Sequence, residues 1–182
     1  MKTIANIVYP SISLFALGCF ALTPVVQAVN PPPDGGYPGG NTATGQNALL
    51  SLSTGGYNTA VGFLSLLSNA DTSFNTGVGA GALLVNTADN NTATGAGALL
   101  SNTTGTFNTA NGAFALLNNT TGNYNTAIGY HALSSNVSDL GSYNDAFGTF
   151  ALGANTTGNS NLAMGEQRLP ATPLVSATQA LV

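Results

Sequence analysis

Asn108-Thr109-Ala110-Asn111-Gly112-Ala113-Phe114-Ala115-Leu116-Leu117-Asn118-Asn119-Thr120-Thr121-Gly122-Asn123-Tyr124 runs straight into Asn125-Thr126-Ala127-Ile128-Gly129, where the same pattern starts again. Working outward from this stretch, the opening asparagine recurs at Asn41, Asn58, Asn75, Asn91, Asn108, Asn125, Asn144 and Asn161, in steps of 17, 17, 16, 17, 17, 19 and 17 residues. Each copy has a glycine four residues on and a leucine eight residues on. A unit this short cannot hold a helix pair, and a regularity this strict is foreign to a linker. The array predicts an all-β fold, a parallel β-roll or β-solenoid of about eight rungs spanning 41–169. With strands of adjacent rungs at about 4.8 Å, eight units make a rod of roughly 35 Å.

Composition supports a packed chain. Only 4% of residues are charged while 43% are hydrophobic, the opposite of a disordered segment. With so few charges, the exposed polar groups are expected to be mostly Asn, Thr, Ser and Gly, in tight turns and in side-chain ladders between rungs.

Residues 1–28 read as a secretory leader. Lys2 is followed by an apolar run from Ile4 to Leu22, and Val26-Gln27-Ala28 places small residues at a cleavage site. Ala16-Leu17-Gly18-Cys19 offers a competing lipoprotein-type processing site. A retained membrane helix is disfavoured by Pro10 and Pro24. Export to the cell surface or the extracellular space follows, with outer-membrane association open. Once the leader is removed, no cysteine remains for a disulfide, and Arg168 alone stands against six acids, hence a net −5. That balance argues against nucleic-acid binding, which needs clustered Lys and Arg. Residues 29–40, rich in Pro and Gly, form a linker or N-terminal cap, and residues 170–182 form a non-repetitive tail.

Within a unit, glycine punctuation predicts two short strands. One carries aromatic-Asn-Thr-Ala and ends at a glycine column needing a tight corner or positive φ; the other is x-Ala-Leu-Leu. Alternation turns inward the leucine column (Leu49 to Leu169) and an alanine column broken only at Gly77. Outward lie Leu50, Leu67, Leu84, Leu100 and Leu117, with a stripe of Tyr57, Phe74, Phe107, Tyr124 and Tyr143 beside Val61, Val78, Ile128, Phe147 and Met164. A stripe of that size predicts a subunit interface, and three-fold closure predicts a homotrimer. The two extra residues of the 19-residue unit must fall in its turn, within 136–142, because a slip inside a strand would invert every side chain.

The units Asn108-Thr109-Ala110-Asn111-Gly112, Asn119-Thr120-Thr121-Gly122 and Asn125-Thr126-Ala127-Ile128-Gly129 resemble the head repeats of trimeric autotransporter adhesins, the YadA-like heads, and are similar to N-T-A-x-G arrays of bacterial and phage tail-fibre proteins. The resemblance implies a left-handed parallel β-roll, three chains side by side, and display at a surface for adhesion. It also implies a coiled-coil stalk and a membrane barrel, or a trimerising chaperone domain. Here heptads are missing and the 13 residues after Leu169 cannot form either domain, so a truncated product or a small secreted form is expected.

No catalytic, cofactor-binding or metal-binding residue is expected, and no cofactor. His131, the single histidine, reads as an ordinary strand residue without a triad partner. Asp71, Asp89, Asp139 and Asp145 read as turn residues, too scattered for a calcium-binding repeat. Gly77-Val78-Gly79-Ala80-Gly81 follows the repeat rather than a nucleotide loop. Sequons at Asn90, Asn102, Asn118, Asn119, Asn136 and Asn155 arise from the turn motif and matter only in a glycosylating host. The expected function is non-enzymatic: an exported surface or structural protein mediating attachment or display to an unidentified surface or matrix ligand. Two alternatives are an ice-binding solenoid, suggested by the column Thr42, Thr59, Thr76, Thr92, Thr109 and Thr126 but lacking paired Thr-x-Thr columns, and a functional amyloid or matrix subunit, suggested by Asn ladders and low charge.

Overall fold

The computed structural model describes residues 37–137 and 140–166, and the backbone of 180–181. The predicted leader, most of the Pro/Gly segment, Asp139, Leu169, Arg168 and most of the tail lie outside the described residues. The described part is an all-β solenoid of one parallel sheet in strict chain order. Its strands are β1 (Thr42–Thr44), β2 (Thr59–Val61), β3 (Thr76–Val78), β4 (Thr92–Thr94), β5 (Thr109–Asn111), β6 (Thr126–Ile128), β7 (Asp145–Phe147), β8 (Leu162–Met164) and β9 (Ala180–Leu181). Alanine sits on alanine through the stack, with Gly77 the one exception, and even the 19-residue step keeps Ala127 opposite Ala146. Ala180 in turn pairs with Ala163, so the tail supplies one more strand to the sheet.

Among the described residues the second predicted strand does not form. The x-Ala-Leu-Leu segment is a chain of turns, although its backbone is still bonded from rung to rung, as in Leu49 N–H to Ser65 O at 3.0 Å and Leu66 N–H to Ala82 O at 2.9 Å. The reason lies in which residues must point inward. Ala48 and Leu49 are both buried, as are Ala82 and Leu83, Ala98 and Leu99, and Ala115 and Leu116. A β-strand sends neighbours to opposite faces, so two consecutive inward residues require a break in the alternation. The leucine supplies it by adopting positive φ, 50° at Leu49, 51° at Leu66 and 51° at Leu116. The core is therefore two alanine columns and one leucine column.

The asparagines depart furthest from expectation. Rather than sitting mostly at the surface, they form two buried ladders. In the first, each Asn Oδ1 accepts the backbone N–H of the next: Asn58 on Asn41 at 2.8 Å, Asn91 on Asn75 at 2.9 Å, Asn125 on Asn108 at 3.0 Å. In the second, side-chain amides bond in series, Asn102 to Asn86 at 2.7 Å, Asn119 to Asn102 at 2.8 Å and Asn136 to Asn119 at 2.9 Å. Buried amides are tolerated because donor and acceptor are both satisfied.

The second ladder also absorbs every change in unit length. Asn102 and Asn119 close their turns onto the carbonyl three residues on, at Gly105 and Gly122. In the 16-residue unit Asn86 closes onto Ala88, and in the 19-residue unit Asn136 closes onto Gly141. The excess thus sits where the register argument placed it.

The interruption at Gly77 has a partner. Its neighbour in the second alanine column is Ser65, whose hydroxyl donates to Gly77 O at 2.8 Å, and a Cβ on Gly77 would meet that hydroxyl oxygen at 2.6 Å. Serine and glycine replace alanine and alanine as a coupled pair. Gly77→Ala alone is expected to destabilise by about 1–2 kcal/mol through overpacking. Adding Ser65→Ala should restore stability, giving a coupling of roughly 1 kcal/mol or more in a urea-unfolding cycle. Additive single effects would contradict this pairing.

Candidate interaction faces

The side chains that the core leaves outside form two aromatic ridges along the rod. The first lies at the position before the opening asparagine. Tyr57 and Phe74 stack at 5.3 Å, Phe107 and Tyr124 at 4.9 Å, and Tyr124 and Tyr143 at 5.0 Å, all within 6° of parallel. Each of these residues has positive φ, between 55° and 59°, which swings the ring out at a corner while the asparagine that follows turns inward. Between 47% and 67% of each residue remains exposed, so stacking covers ring faces and leaves the edges in solvent.

The second ridge escaped the sequence reading. Phe63, Phe114, Tyr130, His131 and Phe150 occupy the two positions after the column glycine, where the sequence does not repeat and no periodic signal marks them. His131 lies between Phe114 at 5.1 Å and Phe150 at 5.4 Å, while Tyr130 meets Phe150 edge-on at 5.5 Å. His131 is not the strand residue expected; it stands at a turn with φ 54°. Phe63, Tyr130 and Phe150 are exposed, as is Leu50, whereas Leu67, Leu84, Leu100 and Leu117 are half-buried by stacking.

Between the ridges run the outward strand positions. Val61, Ile128 and Met164 are exposed and Val78 and Phe147 half-buried, in line with the predicted face. The threonine column lies in register from β1 to β6, but Thr-Ala-Thr occurs only in β1 and β4.

The carboxylates do not converge. Asp71 accepts hydrogen bonds from the Ser53 hydroxyl and from Thr54 Oγ1 at 2.9 Å, and these hold its carboxyl below the usual range. Asp89 accepts the Ser73 N–H at 2.7 Å. Asp145, expected in a turn, begins β7 instead. Among the described residues no three His, Cys, Asp or Glu side chains gather in a metal-holding group, and no helix is long and apolar enough to cross a membrane. Of the six sequons, Asn102, Asn119, Asn136 and Asn155 belong to the buried ladder, and only Asn90 and Asn118 are exposed.

No family model, curated protein or solved structure matches the chain. Functional inference therefore rests on the ridges and on the rod that carries them.

Proposed function

We propose that this protein is a non-enzymatic, exported surface or structural protein whose solenoid mediates attachment or display, in the manner of the adhesin heads and tail-fibre arrays its repeats resemble. The observation that carries the reading is the pair of exposed aromatic ridges held at fixed spacing on a rod with very few charges. Apolar rows of this extent on one molecule mark contact surfaces.

In the proposed assembly three chains associate through the second ridge. Tyr130 meets its neighbours edge-on and, with Phe63 and Phe150, leaves exposed apolar surface to bury at about 25 cal/mol per Å². The first ridge has its ring faces covered by stacking except beside Asn90 and at its ends, and three of its five rings carry tyrosine hydroxyls, so it faces solvent and ligand. Light scattering on the processed chain is expected to give three times the monomer mass. Phe63→Asp with Tyr130→Asp should reduce it to monomer, and Thr104→Asp, at an exposed turn, should not. A monomeric wild type would overturn the trimer, and dissociation by Tyr124→Asp alone would move the interface to the first ridge. Attachment itself is tested with beads coated in the protein on cell and matrix surfaces; no retention above uncoated beads would overturn the reading.

A further inference from the structure

The first ridge is missing one ring. Between its ends at Gly40 and Ser160 its column reads Tyr57, Phe74, Asn90, Phe107, Tyr124 and Tyr143, and the internal gap falls at Asn90. The turn before it is one residue short, yet the corner keeps its conformation: Asn90 has φ 61° against 59° at Phe74 and 57° at Phe107, and its N–H donates to Ser73 O at 3.2 Å. An amide side chain stands where the neighbouring rungs carry a ring. Neighbouring rings are 4.9–5.3 Å apart, so two rungs leave about 10 Å between the Phe74 and Phe107 rings, whose inner faces lack their stacking partner.

We propose that this slot is a binding site for an uncharged pyranose ring of a glycan, held between Phe74 and Phe107. The inference rests on the reading above only in needing the first ridge to face outward. Carbon atoms pack at about 3.5–4.0 Å, so a flat aromatic guest would fill only about 7–8 Å of the gap, whereas a puckered saturated ring with axial C–H groups on both faces occupies more of it. The surroundings suit a polyhydroxylated guest. Asn90, Thr92, Thr94, Thr109 and Asn111 are exposed, and their side chains make no hydrogen bond to another described residue. Asp89 adds a carboxylate beside the slot that accepts from hydroxyls and repels acidic sugars. Among the described residues there is no Lys or Arg to receive a phosphate, sulfate or uronate.

The decisive variant closes the slot without endangering the fold. Asn90→Phe restores the ring in a column that already accepts phenylalanine at the same φ on both sides, so it should stack and raise Tm. Full-chain protein is titrated with cellohexaose, mannohexaose and N-acetylchitohexaose, with a galacturonate hexamer as the anionic comparison, by calorimetry and by saturation-transfer NMR. At least one neutral oligomer is expected to bind and the galacturonate not. Asn90→Phe should weaken that binding by about tenfold or more with an unchanged or higher Tm, and Phe74→Ala should weaken it comparably. Absence of binding by all three neutral oligomers, or equal affinity in Asn90→Phe, overturns the proposal. Bead attachment that persists without sugar binding would leave the attachment function standing and remove the slot. Sugar binding without bead attachment would do the reverse.

Discussion

Gly95→Ala is expected to destabilise the solenoid by on the order of 4 kcal/mol, lowering Tm by about 10 °C or more. Gly95 has φ 133°, and a Cβ there would lie 2.6 Å from both the carbonyl carbon and oxygen of Gly112 in the next rung and 2.9 Å from Ala113 N. All three are backbone atoms. They cannot yield without prising the rungs apart, which would break the ladder bond from Gly112 N–H to Thr94 O at 2.8 Å. The comparison is Gly81→Ala, where φ is 67° but the nearest atom to a new Cβ is the Leu100 methyl at 3.7 Å. That substitution meets only the left-handed backbone penalty of about 1 kcal/mol. Equal thermal midpoints for the two variants would show that the glycine column is not held by contact between rungs.

Asn108→Leu is the second large effect. The replacement keeps the volume and removes the amide, leaving Asn125 N–H without the acceptor it reaches at 3.0 Å. Asn125 Nδ2 loses its 3.1 Å bond and keeps Gly141 O at 2.9 Å, and Gly122 O loses a 2.8 Å donor and keeps Asn119 Nδ2 at 3.0 Å. The stripped N–H costs about 1–3 kcal/mol and each of the two further lost bonds about 0.5–1.5 kcal/mol, so a total of roughly 2–5 kcal/mol is expected from urea unfolding. Hydrogen exchange at the Asn125 amide should accelerate by the same free energy. Asn118→Leu, on the exposed turn with a single bond to Ser134 O, should stay within about 0.5 kcal/mol. A mild Asn108→Leu would mean that water enters the ladder, and the buried column would then contribute little to stability.

The contrast between these two asparagines shows where the sequence is legible. Asn108 recurs at every rung and Asn118 does not, so periodicity marks Asn108 as part of the repeat, although not that its side chain is buried. The same argument identifies the glycine column, whose positive φ follows from its invariance within the chain, and the inward leucines, which are buried at every described rung. It fails at the aromatic cluster of Phe114, Tyr130, His131 and Phe150, because these residues sit in columns whose chemistry changes from rung to rung. Their proximity is created by stacking and leaves no trace in spacing.

Repetition also explains why the pattern predicts a second strand where the described residues form turns. Ala-Leu-Leu between glycine and asparagine satisfies the apolar pattern of a strand, and only the demand that Ala115 and Leu116 both enter the core forces Leu116 to φ 51°. The amino-acid order determined the parallel stack, its register and the turn that takes up the 16- and 19-residue units, since a parallel ladder tolerates no slip inside a strand. What faces water was decided by tertiary structure: which asparagines vanish into ladders, which rings stack, and where a ring is left out. Those outcomes depend on neighbours about 17 residues away in sequence and about 5 Å away in space, and a linear pattern carries the first distance but not the second.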